Sequence, residues 1–217
     1  MIMIEQFDQK LFLCLNSLNS PFCDQVMYII SGLVTWFLLY LAILVFIGIR
    51  YKRKFLVILL FIIVAVALTD QIAVFIKNTV VRLRPCHESS LEGLVHTVKG
   101  WCGGKYGFVS SHAANSFNVA LISLLFIKRR WFTITIIIWA AVVGYSRIYL
   151  GVHYPGDVIC GSLLGALIGW GMYMFYAWTD KKILQNQKYF NPAQYPQSPK
   201  GAKKINRFEP HLGGLGG

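Results

Sequence analysis

Charged side chains are scarce in this sequence: Asp, Glu, Lys and Arg make up 14% of its 217 residues, and only 9 residues are acidic. Hydrophobic residues make up 56% and come in long runs without strand alternation, which excludes a half-solvated sheet and an ordinary water-soluble domain. A bilayer is the solvent such a chain predicts. Zinc-finger spacings, a recognition helix and a basic surface interleaved with aromatics are lacking, so no nucleic-acid partner is expected. Residues 1–24 have neither a basic n-region nor a small-residue cleavage pattern, and a removable leader is not expected there.

What is present is helical periodicity. Ile4, Phe7, Leu11, Leu15 and Leu18 recur at helical spacing opposite Glu5, Asp8 and Asn19. This predicts that 1–24 is an amphipathic helix in the membrane interface, ended by Pro21; a short, partly buried sixth helix is the other reading. Apolar stretches follow at 25–48, 55–76, 112–127, 131–147 and 156–178. The expected fold is an all-α membrane protein, a bundle of five transmembrane helices, or six with the N-terminal one, whose transmembrane domain is 25–178.

The basic residues predict an orientation. Four lie at 50–54, three at 128–130 and seven after 178, which puts 14 of the 21 Lys and Arg on one side of a five-span chain. That side is expected to be cytoplasmic. Residues 179–217 hold seven basic residues, four prolines and a closing Gly-Gly-Leu-Gly-Gly, which predicts a basic, flexible cytoplasmic tail with no core of its own. Most of the +12 net charge lies in this tail and the cytoplasmic loops and fits attraction to anionic headgroups.

Three stretches on the opposite side carry chemistry. Ser146 to Asp157, S-R-I-Y-L-G-V-H-Y-P-G-D, sets an arginine, a histidine and a carboxylate at the margin of an apolar chain, where an unpaired charge is costly. Asp157, four residues after His153, can accept a hydrogen bond from one ring nitrogen, which fixes the tautomer and leaves the other nitrogen free to attack or take a proton. Arg147 offers a planar fork to phosphate or carboxylate. On one continuous helix Arg147 and His153 would stand about 240° apart, so convergence needs a break, from Gly151 or the Tyr154-Pro155-Gly156 turn. A membrane-boundary arginine beside an interfacial turn is the plainer account of the same residues.

The second stretch is Lys77 to Pro85, K-N-T-V-V-R-L-R-P. Lys77 and Arg84 would differ by about 20° on a helix and share a stripe that wants an anion, with Pro85 forcing the exit. Arg82 reads as a side chain snorkelling to headgroups. In the third, Phe108 to Ser116, Ser110 or Ser111 is a natural N-cap. His112 then lies in a first helical turn, where free N–H groups and the dipole favour an anion. There it can protonate a leaving oxygen, or be incidental to a capping turn.

Together these stretches resemble the type 2 phosphatidic acid phosphatase superfamily, whose pattern is K-x6-R-P, then P-S-G-H, then S-R-x5-H-x3-D. Lys77, Arg84 and Pro85 match the first motif, and Ser146, Arg147, His153 and Asp157 the third. In the second, Ser110 and His112 match, while Val109 stands at the family proline and Ser111 at the glycine. The resemblance implies a metal-independent lipid phosphatase without a cofactor, in which 25–178 is the catalytic domain. By the same resemblance His153 is the nucleophile, Asp157 orients it, and His112 is the general acid and then the base. Lys77, Arg84, Arg147 and Ser110, with backbone N–H groups near Ser111 and His112, bind the phosphate. Phosphoryl transfer depends on positioning and charge stabilisation, for which three cations and a helix N-terminus are apt. A zinc site from His112, His153 and Asp157 is disfavoured because the surrounding cations repel a metal.

The competing class is a non-catalytic lipid-binding or scrambling protein that keeps the anion site; the complete His153, Asp157 and His112 set favours the enzyme. Expected substrates are phospholipid, isoprenoid or lipid A phosphates: phosphatidylglycerol phosphate, undecaprenyl diphosphate or a lipid A phosphate. The expected location is a bacterial inner membrane, multi-pass, with the site facing the periplasm. Cys86 and Cys102 flank a loop on that oxidising side and are expected to form a disulfide, worth about 3 kcal/mol in the chain-entropy model; two free thiols are the alternative. Asp70, seven residues before Lys77, extends the cationic stripe and is expected to support Lys77 or a neighbouring polar group from behind, about 10 Å of helix rise away.

Overall fold

The structure is a computed structural model that describes residues 2–190. The chain divides into two units after Trp178. The first is built of α1 (Ile2–Asn16), α2 (Pro21–Ser31), α3 (Phe37–Tyr51), α4 (Phe55–Val80), α5 (Ser111–Ile127), α6 (Arg130–Tyr149) and the start of α7 (Pro155–Phe190). In the second unit, Thr179–Gly217, α7 continues to Phe190, and the rest of the tail expected at 179–217 lies outside the described residues. Among the described residues, strand-like pairing is confined to an isolated bridge between Leu83 and Tyr106.

The protein is all-α, with the exterior of a membrane protein. Leu38, Leu56, Leu60, Ile134, Leu163 and Leu167 are each more than half exposed, while Ile47, Ile58, Ala65 and Ala140 on the same helices are fully buried. In water that exterior would oppose folding; in hydrocarbon it is the solvated surface. Among the described residues, three stretches are long and apolar enough to cross a bilayer, Val34–Val80, Arg130–Tyr149 and Pro155–Lys182, and Ser111–Ile127 is a shorter apolar helix. Val34–Val80 doubles back on itself: Lys52 adopts φ 44°, and a Cβ on Gly48 of α3 would stand 3.6 Å from the ring of Phe55 of α4.

The N-terminal region corrects two expectations. Pro21 begins a helix instead of ending one, because Ser20 caps α2 by accepting from the Cys23 N–H at 3.3 Å and proline's missing N–H costs nothing at the first helical position. The continuous span expected over 25–48 is broken at Gly32. Thr35 Oγ1 donates to the Ile29 carbonyl at 2.6 Å and Trp36 Nε1 to that of Ile30 at 2.7 Å, so side chains satisfy the last turn of α2 and the chain bends. In α1, the residues turned to the interior are Asp8, Phe12 and Asn16, spaced by four, while Phe7 is exposed, as is Leu18 beyond the helix end.

Close backbone approach sets α7 against α5. A Cβ on Gly165 would lie 1.8 Å from the Ala114 carbonyl oxygen, and one on Gly161 2.6 Å from that of Ser110, so glycine is what allows the contact. Asn118 of α5 donates to Thr69 of α4 at 2.6 Å inside the same core. This packing brings the N-termini of α5 and α7 together, and the Ser110 N–H donates to the Asp157 carbonyl at 3.0 Å.

Candidate active site

The loop between α6 and α7 supplies the break that lets Arg147 and His153 converge. Gly151 takes φ +74°, and a Cβ there would lie 2.6 Å from the His96 carbonyl oxygen, so both conformation and space demand glycine. The Arg147 carbonyl accepts from the N–H groups of Val152 and His153 at 3.2 and 3.3 Å. Pro155 opens α7, and Asp157 reaches back to accept from the Tyr154 N–H at 3.0 Å, as a carboxylate in a capping box does. His153, 2% exposed, has its Nδ1 3.5 Å from Asp157 Oδ2. That is longer than a formed hydrogen bond, and Nδ1 has no hydrogen-bond partner among the described residues.

Arg147 lies in the last turn of α6, 2% exposed, and donates to Ser31 Oγ at the end of α2. Its Nε is buried with no hydrogen-bond partner among the described residues, as expected of a group that binds an anion. Arg84 does not lie on a helical stripe with Lys77, contrary to expectation. The helix stops at Val80 because Val81 adopts the left-handed conformation, φ 50°, with its N–H on the Lys77 carbonyl at 3.1 Å. The chain beyond is extended: the Arg84 N–H donates to the Lys105 carbonyl at 3.1 Å, and the guanidinium donates to the carbonyls of Tyr106 and Cys102 at 3.2 and 3.0 Å. Lys77 and Arg84 are nonetheless close enough for their charges to act on one another.

Ser110 is the N-cap of α5, its hydroxyl accepting from the Ala113 N–H at 3.5 Å. Ser111, at the position where the resembling family has glycine, begins the helix in an ordinary helical conformation, so serine is accommodated without strain. Its hydroxyl accepts from Lys77 Nζ at 3.2 Å. His112 follows, within electrostatic reach of Arg147, His153, Arg84 and Lys77. With Arg147 it lines a cleft of about 420 Å³ whose other walls include Tyr28, Ser31, Lys99, Trp101 and the apolar Val98 and Leu150. Asp70 lines a smaller cavity with Ser111, His112 and Asn115, and its charge acts on Lys77.

Sequence reasoning missed two residues. Arg82 does not snorkel to headgroups: it donates to Asp157 Oδ1 at 2.7 Å and to Asp8 Oδ2 at 2.8 Å, with its guanidinium 4.1 Å from the centre of the Tyr154 ring. Asp8 also accepts from the Gly156 N–H at 2.8 Å. The signals were Asp8 itself, in register with Phe12 and Asn16 on the buried face of α1, and the i, i+2 spacing of Arg82 and Arg84, which share a side once the chain is extended. Asn16 ties the end of α1 to the same region, donating to the carbonyls of His96, Ile148 and Tyr149 at 3.0, 3.2 and 2.8 Å.

Burial sets the electrostatics. His153 is pulled down to about 4 by desolvation; Asp157 works against the shift, and Arg84 and Arg147 add to it, so the imidazole is neutral at neutral pH. Burial lowers Arg82, but Asp157 and Asp8 outweigh it and hold the guanidinium above its ordinary value. Cys86 and Cys102 are joined by a disulfide, Cα atoms 6.1 Å apart. Together with His87 they are also the group with metal-ligand proximity among the described residues, and the disulfide removes both thiolates that a metal would need.

A family model for the PAP2 superfamily matches residues 55–181, which contain all three motifs. The chain is 39% identical over 176 residues to the Lipid A 4'-phosphatase of Bacteroides thetaiotaomicron, covering 78% of this chain and 77% of that one. It is 35% identical over 183 residues to the Lipid A 4'-phosphatase of Porphyromonas gingivalis, covering 83% and 78%. The crystal structure of Aquifex aeolicus LpxE superposes with a TM-score of 0.61 at 25% identity, over 76% of this chain and 93% of that one. The first transmembrane PAP2 type phosphatidylglycerolphosphate phosphatase from Bacillus subtilis shares the fold, with a TM-score of 0.64 at 23% identity over 84% and 89%. A family match over more than half of the chain, together with relatives alike over three quarters of their length, establishes that the chain belongs to the PAP2 superfamily.

Proposed function

We propose that the chain is a lipid phosphatase that removes a phosphate from a lipid phosphate or diphosphate at the periplasmic face of a bacterial inner membrane. The observation that carries this is the convergence of two imidazoles and three cations where α4, α5, α6 and α7 meet, with a buried carboxylate beside one imidazole. A site built only to hold an anion would not need that carboxylate. The other end of the bundle has the basic turns at Lys52–Lys54 and Lys128–Arg130, which supports a cytoplasmic location for that end and a periplasmic one for the site. In this reading α3 to α7 make five crossings and α1 lies against the bundle at the interface.

The neutral His153 attacks phosphorus through Nε2 while Asp157 accepts from Nδ1–H and stabilises the imidazolium. As the P–N bond forms, the P–O bond to the lipid breaks, and His112 gives its proton to the leaving oxygen. Lys77, Arg84, Arg147, the Ser110 hydroxyl and the N–H groups at the start of α5 hold the other phosphate oxygens. Water then attacks phosphorus and His112 takes its proton. The P–N bond breaks, which releases phosphate and restores neutral His153. Asp70 supports Lys77 from the helix below.

Likeness to two Lipid A 4'-phosphatases over three quarters of both chains favours a lipid A phosphate. A relative named as a putative undecaprenyl-diphosphatase is alike over 170 residues but at 29% identity, and one named as a phosphatidylglycerophosphatase matches over 81 residues. The test is phosphate release by detergent-solubilised protein from a lipid A phosphate, undecaprenyl diphosphate and phosphatidylglycerol phosphate, with and without a chelator. Release from at least one, indifferent to chelator and abolished in His153→Ala, is expected. No release from any overturns the proposal, and loss with chelator overturns its metal-independent mechanism.

A further inference from the structure

A polar cavity of about 130 Å³ lies against His112 inside the bundle, and Asp70, Asn115, Ser116 and Tyr40 stand in its walls with Ser111. Asn115 comes three residues after His112 on α5, so the two side chains stack on one face of the helix. Asn115 Oδ1 is buried with no hydrogen-bond partner among the described residues. Asp70 lines the cavity from α4, and the bond from Asn118 to Thr69 holds the two helices together at this level. A carboxylate within an apolar span is costly unless something answers it. Lys77 stands about 10 Å of helix rise away, and its ammonium donates to Ser111 Oγ at 3.2 Å.

Resting on the phosphatase reading, we infer that Asn115 and Asp70 are positioning residues for His112. Water held in the cavity joins one ring N–H of His112 to Asn115 Oδ1 and to the Asp70 carboxylate, which leaves the other ring nitrogen aimed at the leaving oxygen. The cavity is polar and far exceeds the ~15 Å³ that one water needs. The acceptor on one nitrogen of a histidine sets its tautomer and the direction of its ring. Charge favours the same arrangement. The groups that face His112 are Lys77 from α4, Arg84 from the extended segment after it, Arg147 from α6 and His153 from the loop before α7, and Asp70 supplies the negative charge behind an imidazolium held among these cations. Asp157 is that partner for His153, and Asp70 is its counterpart for His112. Neither Asn115 nor Asp70 takes the proton, which passes from His112 to the leaving oxygen and returns to His112 from the attacking water.

The test measures kcat/KM, which reports the steps through departure of the leaving group, for Asp70→Asn, Asn115→Ala and the exchange Asp70→Asn, Asn115→Asp. The substrates are p-nitrophenyl phosphate, whose leaving group needs no proton, and whichever lipid of the phosphate-release panel wild type cleaves. Asn115→Ala is expected to lose about tenfold on the lipid, part of the ~100-fold or more that a general acid contributes, and less than about twofold on the aryl ester. Asp70→Asn should lose about tenfold more on the lipid than on the aryl ester. Its support of Lys77 falls on both substrates alike, so the excess belongs to His112. The exchange returns a carboxylate to the cavity and should recover most of the lipid loss. The limb on which lipid kcat/KM falls at high pH, as His112 loses its proton, should move to lower pH in Asp70→Asn and back in the exchange. Equal losses on the two substrates, no loss on the lipid, or an unmoved limb overturns the inference and leaves the phosphatase standing. If wild type does not cleave the aryl ester, the limb and the exchange decide alone. If it cleaves no lipid of the panel, both readings fail.

Discussion

The guanidinium of Arg82 lies 2.7 Å from the carboxylate of Asp157, and that carboxylate is fully buried. The second terminal nitrogen of Arg82 is on Asp8, so a residue of α1 reaches the proposed catalytic centre through one intermediary. Because Asp157 divides its charge among Arg82, the Tyr154 N–H and His153, Arg82 sets both where the carboxylate points and how much of it His153 feels. Arg82 is thus a positioning residue, spent on two carboxylates.

Removing it should therefore act on turnover more than on binding. Arg82→Ala is expected to lower kcat about 100-fold, since a small misplacement of a reacting group is this costly, with KM little changed. Asp8→Asn keeps an acceptor for the Gly156 N–H and should cost less. The readout that a merely structural role would not move is the acid limb of the pH profile. Freed from Arg82, Asp157 pairs more strongly with His153 and raises its pKa, so the limb should shift upward. Unchanged kcat in Arg82→Ala would refute the assignment.

The acid limb itself has a predicted sign. The proposed attack needs neutral His153, whose pKa is lowered to about 4 by burial with Asp157 opposing. For the wild type, kcat/KM should rise with pH through about 4 from this group. In Asp157→Asn the opposing charge is gone, so the limb of the residual activity should move to lower pH. The substrate's own ionisation is common to both profiles, and the displacement between them isolates His153. A limb that stays put, or moves upward, contradicts the pairing.

How much of this was legible depended on how far apart the partners are in sequence. Lys77, Arg84, Arg147, His153 and Asp157 could be singled out because their chemistry imposes residue types at fixed short spacings. Asp8 could not, because its partner Arg82 is 74 residues away, and periodicity tells which face of a helix is apolar but not what waits on the other side. Arg82 failed for a local reason as well. Helical extrapolation past Val80 put it off the cationic stripe, when a left-handed Val81 makes the next segment extended. The break at Gly32 was hidden in an unbroken apolar run, since it rests on the Thr35 and Trp36 side chains reaching back to Ile29 and Ile30.

Ser111, where the family pattern has glycine, offers a simple replacement experiment. Its hydroxyl holds Lys77 Nζ at 3.2 Å, so Ser111→Gly frees the ammonium of a residue proposed to bind the phosphate. KM should rise about fivefold, the worth of roughly one hydrogen bond to a charged group in a partly buried site. In Lys77→Ala the same replacement should add nothing, because the hydroxyl then has no cation to hold. Additive losses would mean that Ser111 acts on the phosphate independently of Lys77.

The disulfide closes the loop that carries the Arg84 contact. Alkylation of denatured, non-reduced protein should therefore label three cysteines, Cys14, Cys23 and Cys160, and five after reduction. In a Cys86→Ser, Cys102→Ser variant the Cys102 carbonyl is held by Arg84 alone. KM for the lipid substrate should rise several-fold while turnover of p-nitrophenyl phosphate persists. Five labelled thiols without reductant would rule the bond out.

The covalent intermediate can be made visible by unbalancing the two half-reactions. In the proposed mechanism His112 serves the first by protonating the leaving oxygen and the second by activating water, so His112→Ala should impair both. An activated aryl phosphate needs no proton to leave, and with it the second loss dominates. The phosphoenzyme should then accumulate. Quenched without acid, His112→Ala treated with a radiolabelled aryl phosphate should carry acid-labile, base-stable label on a peptide containing His153, and His153→Ala should carry none. His153→Ala should still bind a lipid phosphate, since Lys77, Arg84 and Arg147 remain to hold the anion. Label on a serine peptide, or wild-type turnover by His153→Ala, would show that phosphorus is transferred to some other group.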